Sequence, residues 1–440
     1  MFSSKALLRQ ASALSKQSRS MATEASQAFS FSVRDSAGIK VASRDDGRPT
    51  TSLSVVIKAG ARYEPAPGVA HVLEKFAFQN TEKRSALRIT RESELIGANL
   101  SSQVTREHII LNAQFLREDL PYFTDLLGEV LSKTKYNHYT LPEQVAPLCK
   151  LEYKSMMNSP PAIAADAVHN LAFRRGLGNT ILAENETDMN YKIVKDYAAK
   201  SYVKQNIAIV ATGADAAELD ELVAKHFKDI PSGTAAQAPA TKYFGGEIRV
   251  PFRSNVGHFV VGFPGGAASP HTPAEFTVLG NLLGGMSSIK WSVGNSILGQ
   301  TAAGLNPASK AIANHGAYSD AGLFTIYVMG PTATVGSTAK AALDALKQVS
   351  QEVKPEDLKR AIAQSRFNAY AAAEERTMSA EAIGRSILLS GKSIDVEAIV
   401  KDLEKVSAET LKKAAKSLLE SKPSVAVVGE THSLPYYDEL

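Results

Sequence analysis

Two stretches of this 440-residue chain, about 200 residues apart, carry the same order of structural signals. The first opens on an apolar run, Leu53-Ser54-Val55-Val56-Ile57, followed by Lys58-Ala59-Gly60, a Pro-containing turn and an amphipathic pattern from about Gly68. The second opens on Gly257-His258-Phe259-Val260-Val261-Gly262-Phe263, a Gly/Pro turn and a helical pattern from about Thr272. The ends correspond too. A helical stretch, Tyr191 to Tyr197, leads to the strand-like Ile207-Ala208-Ile209-Val210 and Gly213; Leu411 to Leu419 leads to Val425-Ala426-Val427-Val428 and Gly429, 216 residues further on. A repeat of this period demands two copies of one domain. Mixed strand and helix signals make each copy α+β.

Between these landmarks, Leu120 to Leu131, Val335 to Val353 and Pro355 to Tyr370 place apolar side chains at helical spacing, the last with Pro in its first turn. Ile109 to Ala113 and Leu323 to Val328 follow the opening helix of each copy, which suits a strand returning antiparallel to the sheet. Pro231 to Ala240 is uncharged, rich in small residues and without apolar periodicity, as an exposed connector should be. The expected organisation is an extension over 1–20, a first domain over 21–230, a linker over 231–246 and a second domain over 247–440.

Charge sets the extension apart. Lys5, Arg9, Lys16 and Arg19 are the only charged residues before Glu24; taking those four from the 49 basic residues leaves 45 against 45 acidic. A basic, serine-rich, acid-free segment with Ala6, Leu7, Leu8, Ala11, Ala13 and Leu14 at helical spacing has the composition of a mitochondrial transit peptide. Arg9 breaks the apolar block a secretory signal would need. The neutral remainder lacks the basic excess of a nucleic-acid binder. One cysteine, Cys149, excludes a disulfide framework and a cysteine-rich zinc module. Gly245-Gly246, Gly265-Gly266 and Gly284-Gly285 lack the Lys-Ser/Thr of a phosphate loop, and no G-x-S-x-G nucleophile elbow occurs. No cofactor is expected.

The stretch closest to chemistry is His71-Val72-Leu73-Glu74-Lys75, on the helix after the first strand. In an H-x-x-E-H motif two histidines share a helix face to bind zinc while the glutamate acts as base. Here the second histidine is Lys75, and a protonated ammonium has three donors and no lone pair for a cation.

Around this motif the chain resembles the pitrilysin-type metallopeptidase family. The resemblance is carried by Lys58-Ala59-Gly60-Ala61-Arg62-Tyr63-Glu64 leading into Gly68 to Lys75; by Gly97-Ala98 and Thr105-Arg106-Glu107; by His169 to Phe173, Leu177-Gly178, Tyr202-Val203 and Asn206; and by Tyr318-Ser319-Asp320-Ala321-Gly322-Leu323-Phe324. It covers nearly all the chain after the extension. It implies two homologous domains, each a mostly antiparallel mixed sheet packed with helices. Active members carry a third zinc ligand, a glutamate, at the position matching Glu152. The resemblance thus maps His71 and Glu152 onto ligands, Glu74 onto the base and Lys75 onto the lost ligand, a vestigial site with no catalytic or metal-binding residue. A second loss accompanies it: the segment from Ser287 to Gly299 lacks the Arg and Tyr, seven residues apart, that hold substrate in active relatives.

Within the family, such losses resemble the core proteins of mitochondrial ubiquinol–cytochrome c reductase. This resemblance implies a non-catalytic scaffold with no cofactor, on the matrix side of the inner membrane and peripheral to it. Its partners would be core protein 1 and the other subunits of a dimeric complex. The alternative is a subunit of the mitochondrial processing peptidase, either the presequence-binding α type or a zinc peptidase. Against the α type, Gly280-Asn281-Leu282-Leu283-Gly284-Gly285-Met286-Ser287 looks like a helix end and not a long glycine-rich loop.

Overall fold

A computed structural model of the chain describes residues 30–184, 190–268, 272–285, 287 and 291–440. The expected transit peptide, 1–20, lies outside the described residues, as do Met286 of the stretch read as a helix end and 288–290 in the region compared with the substrate clamp. The first half runs β1 (Ser32–Ser36), β2 (Ile39–Arg44), β3 (Thr50–Ile57), α1 (Val69–Lys75), α2 (Ala86–Ile96), β4 (Asn99–Val104), β5 (Ile109–Leu116), α3 (Leu120–Lys133), α4 (Ala146–Met157), α5 (Pro160–Phe173), α6 (Tyr191–Ser201), β6 (Ile207–Thr212) and α7 (Ala216–His226). The second runs β7 (Gly246–Pro251), β8 (Val256–Gly265), α8 (Ala274–Leu283), α9 (Ile297–Leu305), β9 (Lys310–Ala317), β10 (Gly322–Pro331), α10 (Thr332–Gln351), α11 (Pro355–Glu374), α12 (Arg376–Ser390), α13 (Val396–Glu404), α14 (Ala408–Glu420) and β11 (Ser424–Gly429).

The duplication is a duplication of topology. One sheet has the order β1-β2-β6-β3-β5-β4 and the other β7-β11-β8-β10-β9. With β1 set aside, the two match strand for strand. In each, one parallel pair (β2 with β6; β7 with β11) is followed by three antiparallel pairs. Each opening strand pairs with its returning strand, Val55 opposite Leu111 and Val261 opposite Ile326. The fold is α+β with mixed, mostly antiparallel sheets.

Central strands here are buried on both faces. Every residue of β6 and of β11, and all of β3 after Thr50, is buried, which requires helices on both sides of each sheet. One face of each sheet is covered by helices of its own half. The first core gathers Leu53, Val55, Ile57, Leu73, Phe123, Leu127 and Val223; the second gathers Phe259, Phe263, Leu279, Leu282, Leu346 and Leu418.

The opposite faces are covered by exchange. Helix α5 of the first half lies on the second sheet, where Ile163, Ala164, Val168 and Phe173 meet Val260, Leu323, Ala426 and Val428. Helix α12 of the second half lies on the first sheet, Ala380, Ile383 and Ile387 against Ala42, Ala208 and Val210. A glycine at each contact permits the close approach. A Cβ on Gly384 of α12 would stand 2.4 Å from Val56 Cγ2, and one on Gly262 of β8 would stand 2.8 Å from Val168 Cγ2. Residues 231–245 between the halves have no regular structure. They are tied down by backbone donors: Gly233 N–H to Gln205 Oε1 at 2.7 Å and Ala236 N–H to Asn206 Oδ1 at 2.7 Å.

Candidate functional site

Helix α1 follows the loop after β3, and that loop is shaped by Gly60. Its backbone lies so close to the β4–β5 turn that a Cβ would meet Thr105 O, Glu107 C and His108 N at 2.5 Å. Gly60 N–H donates to Glu107 O at 3.0 Å and Arg62 N–H to Arg106 O at 2.8 Å. The helix starts after Gly68 at φ +82°, where glycine is favoured. With no capping side chain at Gly68, the first turn finds its acceptor in Glu64, whose Oε2 receives Ala70 N–H at 3.1 Å. Burial pushes the Glu64 carboxyl up to about 7.

All four predicted residues come together here. His71 and Glu74, three apart on α1, are buried at 0% and 1% exposure. Glu152 on α4 reaches the same spot and brings both oxygens into use: Oε2 lies 2.8 Å from His71 Nε2, and Oε1 lies 2.7 Å from Lys75 Nζ. Lys75 Nζ also stands 3.0 Å from Glu74 Oε2. Glu74 Oε1 accepts from the Ser102 hydroxyl on β4. His71 Nδ1 accepts Ala183 N–H at 3.1 Å. Cys149, one turn before Glu152, is a buried thiol pushed up to about 12 by burial.

Opposing effects set the charges. Burial lowers the Lys75 pKa, but the hydrogen bond to Glu152 and the charge of Glu74 outweigh it and leave the ammonium above its ordinary value. Burial raises the Glu152 pKa, but Lys75 and His71 overcome that and hold its carboxylate below the usual range. Burial keeps His71 below the ordinary imidazole value despite the neighbouring carboxylates. The cluster is a lysine shared between two carboxylates, with a neutral histidine on the outer one.

Zinc needs three converging lone-pair donors and an open position. Here an ammonium stands within the cluster, and among the described residues no group of three or more His, Cys, Asp or Glu side chains could hold a metal ion. The residues present do not fit the zinc site of the active family members. In the second half, α8 stops at Leu283 with Gly284 at φ +70° and Gly285 N–H on Ser296 Oγ at 3.2 Å. The residues up to Gly285 thus form a helix end, as the sequence predicted.

Motifs that carry the family resemblance turn out to join the halves. Arg62 forms a two-pronged bridge to Asp320, at 2.7 and 2.5 Å, and reaches Glu107 at 2.8 Å. Glu107 accepts Ser319 N–H at 3.0 Å, and Thr241 donates to Asp320 through N–H and Oγ1, both at 2.9 Å. His169 Nε2 lies 2.7 Å from the Tyr318 hydroxyl. The sequence offered the residue types but no sign that Thr105-Arg106-Glu107 and Tyr318-Ser319-Asp320 face each other.

Comparison with known proteins agrees with this architecture. Residues 40–185 match the model of the insulinase family, peptidase family M16, and residues 188–365 match that of the peptidase M16 inactive domain. The mitochondrial cytochrome b-c1 complex subunit 2 of Neurospora crassa is 46% identical over 99% of this chain and 96% of its own length. That of Yarrowia lipolytica is 41% identical over 93% and 96%. The mitochondrial-processing peptidase subunit alpha of Solanum tuberosum is more distant, 29% identical over 92% and 82%. A full-length match at this identity, on a doubled M16 fold, decides the matter: the chain belongs to the M16 peptidase family, with the cytochrome b-c1 complex subunit 2 proteins.

Proposed function

We propose that this chain is a non-catalytic core subunit of the mitochondrial ubiquinol–cytochrome c reductase, of the core protein 2 type. The observation that carries this reading is the Lys75 ammonium, 2.7 Å from Glu152 and 3.0 Å from Glu74, in the cluster where an active relative would hold its metal. His71, Glu74, Lys75 and Glu152 are then a degenerate zinc site that serves the fold as an ionic staple between α1 and α4. Its work is association, with core protein 1 and the other subunits of a dimeric complex.

Residues 1–20 would direct the chain to mitochondria and be removed there, leaving domains over 21–230 and 247–440 joined by 231–246. The subunit would sit on the matrix face of the inner membrane, held through its partners. Consistent with that, no helix among the described residues is long and apolar enough to cross a membrane. Native gels of detergent-solubilised mitochondria test the reading. The chain should migrate with the haem-staining respiratory complex. Migration as a small soluble heterodimer would favour the processing-peptidase alternative.

A further inference from the structure

Lys75 is not the only obstacle to a metal in this cluster, because the retained histidine is itself turned the wrong way. A neutral imidazole carries one proton on one of two ring nitrogens, and the partners of the ring decide which. The Ala183 backbone N–H can only donate, and it lies 3.1 Å from His71 Nδ1. Nδ1 must therefore present its lone pair, and the proton resides on Nε2. That nitrogen faces Glu152 Oε2 at 2.8 Å, as a donor should face a carboxylate. A ligating histidine needs the reverse, with the nitrogen toward the metal bare and the other N–H given to an acceptor.

We propose that the Ala183 amide is a second lock on the site, holding His71 in the Nε2–H form and closing it to cations independently of Lys75. Moving the proton to Nδ1 would set two N–H groups against each other, and His71 is fully buried there. The amide is not free to turn away. Ala183 is itself buried in the first core. The segment leading to it is fixed by Asn179, whose Nδ2 donates to Ala61 O at 2.9 Å and whose carbonyl receives Arg106 Nη1 at 2.6 Å. The cluster is thus one connected network, in which Ala183 donates to His71, His71 and Lys75 donate to Glu152, and Lys75 and Ser102 donate to Glu74. This inference rests on reading the cluster as a degenerate zinc site.

Two measurements on the full chain test it. Nitrogen chemical shifts of histidine-labelled wild-type protein, with His71 assigned by the His71→Gln variant, read the tautomer directly. A bare Nδ1 and a protonated Nε2 are expected; a protonated Nδ1 would overturn the lock. Zinc is then titrated, against a competing chelator, into Lys75→His and into Lys75→His/Ala183→Pro, where the proline has no N–H. Outer partners of a ligating histidine change metal affinity about 10–100-fold, so the single variant should bind more weakly than the double one by a factor in that range. Equal affinity of the two would overturn the lock. If the double variant fails to fold, the tautomer alone decides. Stoichiometric zinc in the wild-type chain would instead overturn the degenerate-site reading beneath it.

Discussion

Removing the Lys75 ammonium should expose which carboxylate depends on it. The group left desolvated is Glu74 and not Glu152. The Glu152 side chain is 43% exposed and keeps His71, whereas that of Glu74 is 1% exposed and would retain, among the described residues, only Ser102. Lys75→Met keeps the length of the stem and removes the charge. Leaving a buried hydrogen-bonding group unsatisfied costs about 1–3 kcal/mol, and stripping the partner from a buried ion pair about 3–5. Lys75 is itself 17% exposed, so water can enter and the lower part of that span applies, about 2–3 kcal/mol. Since 1 kcal/mol shifts Tm by about 2–4 °C in a domain of roughly 200 residues, calorimetry should show a fall of about 4–12 °C. Adding Glu74→Gln, which removes the stranded charge, should recover most of the loss. Glu152→Gln alone should cost under about 1 kcal/mol, as expected of a pair near solvent. A Lys75→Met chain as stable as wild type would refute this reasoning. So would a Glu152→Gln chain damaged more than the lysine variant.

Three further outcomes can be checked on the same scale. Gly384→Ala must push α12 off β3, since its Cβ would stand 2.4 Å from Val56; a loss of about 1–3 kcal/mol and faster protease cutting within 231–245 are expected. Arg62→Lys keeps the charge but not the planar fork that grips Asp320; its Tm should drop, and a double variant with Asp320→Asn should cost less than the sum of the singles. His169, held neutral and lowered to about 3 by burial, binds no proton in the folded state as the pH falls below the unfolded imidazole value of about 6.5, whereas the unfolded chain does. Stability should therefore decline from about pH 6.5 toward pH 3. His169→Gln should flatten that slope by one proton in urea titrations across the range.

How much of the fold is legible in the sequence depends on what each element is exposed to. β3, β6, β8 and β11 read clearly because burial on both faces demands continuous apolar residues, as in Ala208 to Ala211 or Val425 to Val428. The edge strands do not. β4 is Asn99-Leu100-Ser101-Ser102-Gln103-Val104 with no residue fully buried, and β7 is no better covered. The exchange of α5 and α12 is invisible for another reason. An apolar face such as Ile163, Val168 and Phe173 announces that it will be covered but not by which half. The four cluster residues can be found because helical spacing and a family motif place them. The Ala183 amide cannot, because a backbone donor leaves no trace in residue type.

A chain that serves a haem-containing complex and cleaves nothing should carry that complex with it on purification. The decisive experiment is to purify the tagged full-length chain from solubilised mitochondria and determine its haem content and quinol–cytochrome c reductase activity. The expected result is b- and c-type haem in fixed proportion to the chain, with reductase activity in the same fraction. A haem-free preparation of the chain with one partner of similar size, cutting presequence peptides in the presence of zinc, would contradict it.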